Sequence, residues 1–437
     1  MCGLILARGY SDWEIEEAMR SMYYRGKDGK QGVTQRGEWT LGHVRLAIQD
    51  LTDASSQPVT RKDFSLAYVG ELFGLPKGAN ELQTVLNAYE TEGPFGFQHF
   101  DGFWAIAAIH DNNTAQVFVD YLSQKPLYYW EDFNIVCSEL DPMFKLEERP
   151  AFDEIYMANV IKFGYDCTGR TPYVGIRQLA PGTALTLQKY KEQAQTYTYW
   201  HWDQIKPRVN NLKTLLTKAT FDRLVGDREV GLLLSGGLDS SIIYSILQNA
   251  DASVRCFSVE NGESEFLPSG PDIEPLITFA HSPSLPEVVE AMQCPVDLGS
   301  MVPQYMLGEA LKNRGLNVCL SGDGADELFG GYRRSLVYDS QASDVFMELP
   351  YYHLPRLDRL MMRHTVELRT PFLAPEVIAF ALQLPYEERT QKEALKEAFK
   401  DSVPKRIIER IKHPLKTHAV INGSIQYRKD LVELFTC

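Results

Sequence analysis

Three short stretches hold residue types that could do chemistry. The chain opens Met1-Cys2-Gly3-Leu4-Ile5-Leu6, with a cysteine directly after the initiator and an apolar run behind it. Most such cysteines are packing residues. Removal of Met1 would instead place a thiol and a free α-amine on one residue, and an amine with a pKa near ~8 can serve as that thiol's base without a histidine. The second stretch is Ser235-Gly236-Gly237-Leu238-Asp239-Ser240-Ser241, behind the apolar run Val230 to Leu234. Its glycines let backbone N–H groups approach an anion, its serines add hydroxyl donors, and a following helix would offer its positive end. It is neither a Gly-Lys-Ser/Thr loop nor a GxGxxG fingerprint, and the plain alternative is a glycine-rich strand–helix turn. The third is Ser321-Gly322-Asp323-Gly324-Ala325-Asp326-Glu327-Leu328-Phe329-Gly330-Gly331-Tyr332, with three carboxylates between glycines. The plain alternative is a solvated turn whose acids cap the next helix, but a structural turn would not need this density of acids and glycines.

The elements that must position these residues change character along the chain. Gly3 to Ala7, Trp39 to Ala47, Phe64 to Val69, Ala105 to His110 and Ala115 to Asp120 are β-rich runs bounded by turn residues. Ser11 to Glu14 fits a capping box, after which Ile15, Met19 and Met22 share a helical face. A second helix is expected from Leu82 to Glu92. From residue 210 the pattern becomes helix (Asn210 to Val225), strand (Val230 to Leu234), loop, helix (Ile242 to Leu247), strand (Val254 to Val259), and later a third strand, Leu316 to Leu320. Such units build a parallel, doubly wound sheet, and ligands gather at the carboxyl ends of its strands. Both glycine-rich loops are therefore expected to face one crevice. Glu260 to Pro286 reads as a loop and a candidate lid. The boundary is placed near residue 205.

Composition excludes some classes. A length of 437 residues suggests roughly two to three domains. The net charge of −14 argues against a nucleic-acid-backbone binder. Seven scattered cysteines without CxxC or Cys/His metal spacing fit unpaired thiols in a reducing cytoplasm. The start lacks the basic region of a signal peptide, and no apolar run is long enough to span a membrane.

The Ser235–Ser241 loop resembles the pyrophosphate-binding loop of the ATP pyrophosphatase superfamily. The Ser321–Tyr332 string, the segment from Leu357 to Leu373 and Gln391-Lys392-Glu393-Ala394-Leu395-Lys396 resemble the asparagine synthetase family. Its glutamine-dependent members begin Met-Cys-Gly, and further elements are similar in order: Arg25-Gly26-Lys27-Asp28-Gly29, Gly42 to Ile48, Gln57-Pro58, Tyr68 to Leu72, Gln124 to Tyr129 and Ser138-Glu139. The resemblance implies an N-terminal αββα Ntn-hydrolase-like sandwich (residues 1–205, glutamine amidotransferase). A doubly wound parallel-sheet ATP pyrophosphatase domain (206–437, synthetase) would follow, giving an α/β and α+β chain. It makes Cys2 the nucleophile, with Gly70 N–H at the oxyanion and Arg45, Glu71 and Glu81 on glutamine. ATP and pyrophosphate would meet Leu234, Ser235, Gly236, Gly237, Asp239, Ser240, Ser241, Val259, Ser321 and Gly322. Asp239 and Asp326 would hold Mg²⁺, Lys392 would stabilise the departing phosphates, and Asp323 would stand near the attacking ammonia. Substrates implied are glutamine, aspartate and ATP, in a cytoplasmic enzyme for which a homodimer is the assembly considered. Asp358, Arg359, Glu367 and Arg369 are expected to form a buried ion-pair network.

The chain departs from the family pattern at several positions. Val69 stands where the family has an asparagine that donates to the oxyanion, and loss of one such donor costs on the order of 10²–10³ in rate. Val119 replaces an arginine, Ala374 replaces an aspartate, and the segment from Val259 to Leu316 is short. The alternative function is therefore a related ligase that adenylates a different carboxylate, or one that uses free ammonia.

Overall fold

The structure is a computed structural model and describes residues 2–26, 31–76, 78–132, 134–188, 195–200, 205–207, 210–260, 264–275, 277, 283–297, 299–332, 348–410 and 425–436. Lys27, Asp28 and Gly29 of the expected Arg-Gly turn lie outside these residues, as does Met1.

Two-residue alternation builds the first half. In Gly3–Arg8, Leu4 and Leu6 face one way and Ile5 and Ala7 the other. This strand lies inside a six-stranded antiparallel sheet ordered Ile176–Gln178, Tyr128–Trp130, Ile135–Cys137, Gly3–Arg8, Trp39–Val44, Gly32–Arg36. A second antiparallel sheet of six runs Gln195–Thr198, Thr183–Gln188, Thr114–Val119, Asp101–His110, Phe64–Phe73, Val59–Thr60. Leu4, Leu6 and Trp39 of the first meet Ala67, Val69, Ala105 and Val117 of the second in one core. Ile5 and Ala7 pack outward with the helix Asp12–Met19, whose Ser11–Glu14 capping box forms. On the far face, Tyr68 and Leu72 cluster with Val85, Leu86 and Tyr89 of the helix Glu81–Glu92. The layers are thus helix, sheet, sheet, helix.

The second half holds a four-stranded parallel sheet ordered Cys256–Phe257, Val230–Leu233, Val318–Leu320, Glu367–Arg369. Its first strand in sequence lies between the second and third, so the chain crosses in opposite directions from it. The crevice at that switch point is where such sheets take ligands. The helix Leu238–Gln248 begins four residues before the expected Ile242, directly on the glycine loop, with Gly237 as its N-cap. The second strand is shorter than Val254 to Val259. The stretch after it is more than a loop, because Ile273 and Ile277 bridge in parallel to Cys256 and Val259. Among the described residues no helix is long and apolar enough to cross a membrane.

The four residues expected to form one ion-pair network are buried and paired, but in two separate groups that each reach the N-terminal half: Asp358 and Arg359 in one, Glu367 and Arg369 with Glu71 in the other. Asp358 takes Arg25 at 2.8 Å and Lys125 at 2.6 Å. Arg25 also pairs with Glu139, and Glu139 lies 4.0 Å from Arg359. Burial alone would raise the Asp358 carboxyl, but Arg25 and Lys125 hold it at about 2. Asp358→Ala would leave buried Lys125 without its counter-charge and Arg25 with Glu139 alone. It is expected to cost about 3–5 kcal/mol in denaturant unfolding. The contribution of the wild-type carboxylate should be complete above pH ~4, the usual carboxylate range, and be lost as pH falls through about 2.

Candidate active site

The N-terminal cavity is built on an exposed sheet edge. Strand Val59–Thr60 pairs only with Ser65 and Leu66, so the Phe64–Phe73 strand is uncovered beyond that point. Three N–H groups project from this bare edge at two-residue spacing. Tyr68 N–H donates to Gln57 Oε1 (2.6 Å) and Leu72 N–H to Glu81 Oε1 (2.5 Å). Gly70 lies between them, opposite Trp104, whose own N–H turns away to Asp120 (3.1 Å). The Gly70 N–H therefore points off the edge, towards the cavity. No larger residue fits here, because a Cβ on Gly70 would lie 2.1 Å from the Phe103 carbonyl oxygen.

A cavity of about 720 Å³ opens at this edge, lined by Cys2, Arg45, Gln49, Gln57, Gly70, Glu71 and Glu81 together with Val225, Gly226 and Asp227. The Cys2 thiol points to the Leu46 carbonyl (3.8 Å), and the Cys2 carbonyl accepts from Arg25 Nε (3.0 Å). Burial raises the thiol's pKa, so a base must take its proton. His43 on the next strand is no such base: burial lowers it to about 3, and its Nε2 meets the Tyr68 carbonyl at 3.2 Å. The Arg45 guanidinium is set by the carbonyls of Thr52 (2.6 Å) and Asp50. Burial, with Glu367 adding to it, raises Glu71 to about 7, while Arg369 and a hydrogen bond from Gln49 (2.6 Å) oppose. Burial and the charge of Glu71 raise Glu81 well above the usual carboxylate range. Val69 points into the core between the sheets, fully buried, and offers no donor.

The second site lies at the carboxyl ends of the parallel strands. Ser235, Gly237 and Ser240 tie the first loop together: Ser235 N–H donates to Ser240 Oγ (3.2 Å) and Gly237 N–H to Ser235 Oγ (3.3 Å). Ser241 Oγ is buried with no partner among the described residues. The two glycine-rich loops touch, since a Cβ on Gly322 would lie 2.9 Å from that of Asp239. Lys392 Nζ sits between Asp239 (2.6 Å) and Asp326 (2.6 Å), fixing the two carboxylates around one point. Gln391 (φ 52°) and Lys392 (φ 61°) are both left-handed, a strain of ~1–2 kcal/mol per residue that places the ammonium there. Asp323 accepts from Ser321 Oγ and pairs with Arg356 at 2.7 Å. Leu234 enters the core with its N–H on the Phe257 carbonyl, and Val259 stands at the neighbouring strand end, bridged to Ile277.

The expected residues thus gather in two places. Cys2, Arg45, Gly70, Glu71 and Glu81 line one cavity, and the two loops meet around Lys392. Gln49 and Asp227 were not anticipated. Gln49 is a polar residue in a loop, and Asp227 reads only as part of a turn before a strand.

Fold and sites together define a class: a cysteine-led amidotransferase sandwich joined to a nucleotide-binding ligase domain. The glutamine amidotransferase domain model matches residues 1–200, and the asparagine synthase model matches 211–274, 277–344 and 335–433. The chain belongs to the asparagine synthase family. It is 30% identical to a glutamine-hydrolysing asparagine synthetase of Rattus norvegicus, over 99% of this chain and 87% of that protein. Asparagine synthetase B of Escherichia coli is 25% identical over 89% and 76%. A probable asparagine synthetase of Acanthamoeba polyphaga mimivirus is 24% identical over 99% and 88%.

The raised carboxyls give a pH signature. An acid must be ionised to hold an α-ammonium group, the role that the family resemblance implies for Glu71, and Glu71 loses its charge below about 7. KM for glutamine is expected to rise as pH falls through that value. The same titration on Glu71→Gln should show a higher KM with a flatter profile.

Proposed function

We propose that this chain takes ammonia from glutamine in the N-terminal cavity and adenylates the aspartate side-chain carboxylate with ATP in the C-terminal crevice. The adenylate is then aminated to asparagine, with release of AMP. One observation carries this reading: a thiol, a guanidinium, two carboxyls and an outward N–H line a single cavity sized for a small molecule. We assign residues 1–205 to the amidotransferase half and 206–437 to the synthetase half, in a cytoplasmic enzyme.

In the first half, the Cys2 thiolate attacks the glutamine amide carbon, its proton passing to the α-amine freed by loss of Met1. Arg45 holds the substrate carboxylate, and Glu71 and Glu81 hold the ammonium. The oxyanion takes the Gly70 N–H. Gln57, its oxygen committed to Tyr68, is our candidate for the donor that Val69 does not supply. The C–N bond breaks, the nitrogen takes a proton and leaves as ammonia, and water releases glutamate from the thioester.

In the second half, the acceptor carboxylate attacks the α-phosphorus and pyrophosphate leaves on the Ser235–Ser241 loop. Lys392 stabilises the charge that accumulates on it. Asp239 and Asp326 suit Mg²⁺, which is commonly held by one or two carboxylates with phosphate oxygens completing its shell. Bound there, Mg²⁺ would supply charge neutralisation for the triphosphate. Ammonia then attacks the acyl carbon and AMP leaves, with Asp323 placed to take a proton. Between the halves, a void of about 10 Å³ beside Gln124, Lys125, Leu357 and Asp358 has room for roughly one water-sized molecule.

Mass spectrometry of a reaction with ATP, Mg²⁺, aspartate and amide-¹⁵N glutamine tests the proposal. Labelled asparagine with equimolar AMP is expected. Glutamate without asparagine would overturn the aspartate assignment, and asparagine from ammonium when glutamine yields neither glutamate nor asparagine would overturn the glutaminase assignment. Val69→Asn should raise kcat for glutamine hydrolysis, by up to about 10²-fold if a second donor is what the site lacks.

A further inference from the structure

The glutamine cavity is not closed by the amidotransferase half alone. Val225, Gly226 and Asp227 form part of its wall, and they belong to the segment that leads into the parallel strand Val230–Leu233. Asp227 grips the loop after Arg45 at two points. Its N–H donates to the Ile48 carbonyl (2.9 Å), and its Oδ2 accepts the Asp50 N–H (2.8 Å). Arg228 adds a bond to the Ala47 carbonyl and reaches Asn317 at 2.7 Å. The loop so held is the one whose Asp50 and Thr52 carbonyls orient the Arg45 guanidinium. Asp50 is itself left-handed (φ 55°), so its carbonyl direction depends on the loop being pinned on both sides.

A second support comes from Arg369, at the end of the strand Glu367–Arg369 and fully buried. Its guanidinium lies 3.5 Å from Glu71, bonds Glu367 at 2.7 Å, and donates to the carbonyls of Arg223 (2.9 Å) and Val225. The backbone carbonyl of the same residue accepts the Ser321 N–H (2.9 Å). One residue therefore touches the opening serine of the acidic loop and a wall acid of the glutamine cavity.

We infer that the synthetase half completes the glutamine site, with Asp227 positioning Arg45 through the 46–52 loop and Arg369 positioning Glu71. This rests on the reading of the cavity as a glutamine site. Neither residue touches the reacting atoms, so the effect belongs in KM rather than in kcat. A lost hydrogen bond to a charged group is worth roughly tenfold in affinity.

The test is steady-state glutamine hydrolysis by the full-length chain, with glutamine binding to the Cys2→Ala protein measured by calorimetry alongside. Asp227→Ala should raise KM for glutamine about tenfold, with kcat within about twofold and a matching loss of affinity in the Cys2→Ala background. Asp227→Asn keeps the oxygen that Asp50 N–H needs and should restore KM to near wild type. Should the alanine variant not fold, Asp227→Leu, similar in size and without an acceptor, is compared with Asp227→Asn in its place. Unchanged KM in the variant without an acceptor, or a fall in kcat at constant KM, overturns the inference. Absence of both hydrolysis and glutamine binding in otherwise wild-type protein would instead withdraw the glutaminase reading, and this inference with it.

Discussion

A guanidinium removed from water must be surrounded by acceptors, and Arg25 is 1% exposed. Its Nε takes the Cys2 carbonyl, one Nη takes Glu139, and the other takes Asp358 from the far half of the chain. Burying the charge costs several kcal/mol, which is recovered only when the partners are in place. The backbone of Cys2, the N-terminal sheet and the helix Leu354–Met362 are thereby tied to one cation. Seating Cys2 and docking the two halves become a single condition. Cutting the chain near residue 205 would strand that charge, even though each half has a sheet of its own.

The same economy governs the second site. Lys392 neutralises two carboxylates that would otherwise repel, at the cost of two consecutive left-handed residues. Such strain persists where the surroundings over-determine it. Here the surroundings are the backbone bonds of Gln391 and Lys392 to Gly330 and Phe329, which splice the late lysine segment onto the acidic loop. Close packing also fixes the loop spacing, because glycines allow the two loops to touch.

Much of this was legible in the sequence for local reasons. Alternation in Gly3 to Ala7, the capping box at Ser11 and the strand-to-loop transition after Leu234 are short-range signals, and all three form. Strand ends were less readable. Phe64–Phe73 runs four residues past Val69, because its pairing with Asp101–His110 continues through residues with weak strand character such as Gly70 and Glu71. The segment after Val259 looked like a loop, since the bridges from Ile273 and Ile277 depend on a neighbouring strand edge that composition does not reveal.

By itself the sequence determined which groups are available: a thiol at position 2, two glycine-rich loops behind apolar strands, and a surplus of acids. It also fixed their order, since hydrophobic period and turn chemistry act over a few residues. Tertiary structure alone decided where those groups point. The Gly70 N–H faces the cavity because Trp104 spends its own N–H on Asp120. Glu71 and Glu81 are shifted because burial, joined by the charge of Glu367 on the first and of Glu71 on the second, outweighs Arg369. Asp227 lines the amidotransferase cavity because the two halves dock, 177 positions from the Asp50 N–H it accepts. Hydrogen-bond direction, desolvation and charge pairing act through space, and the chain must fold before they have values.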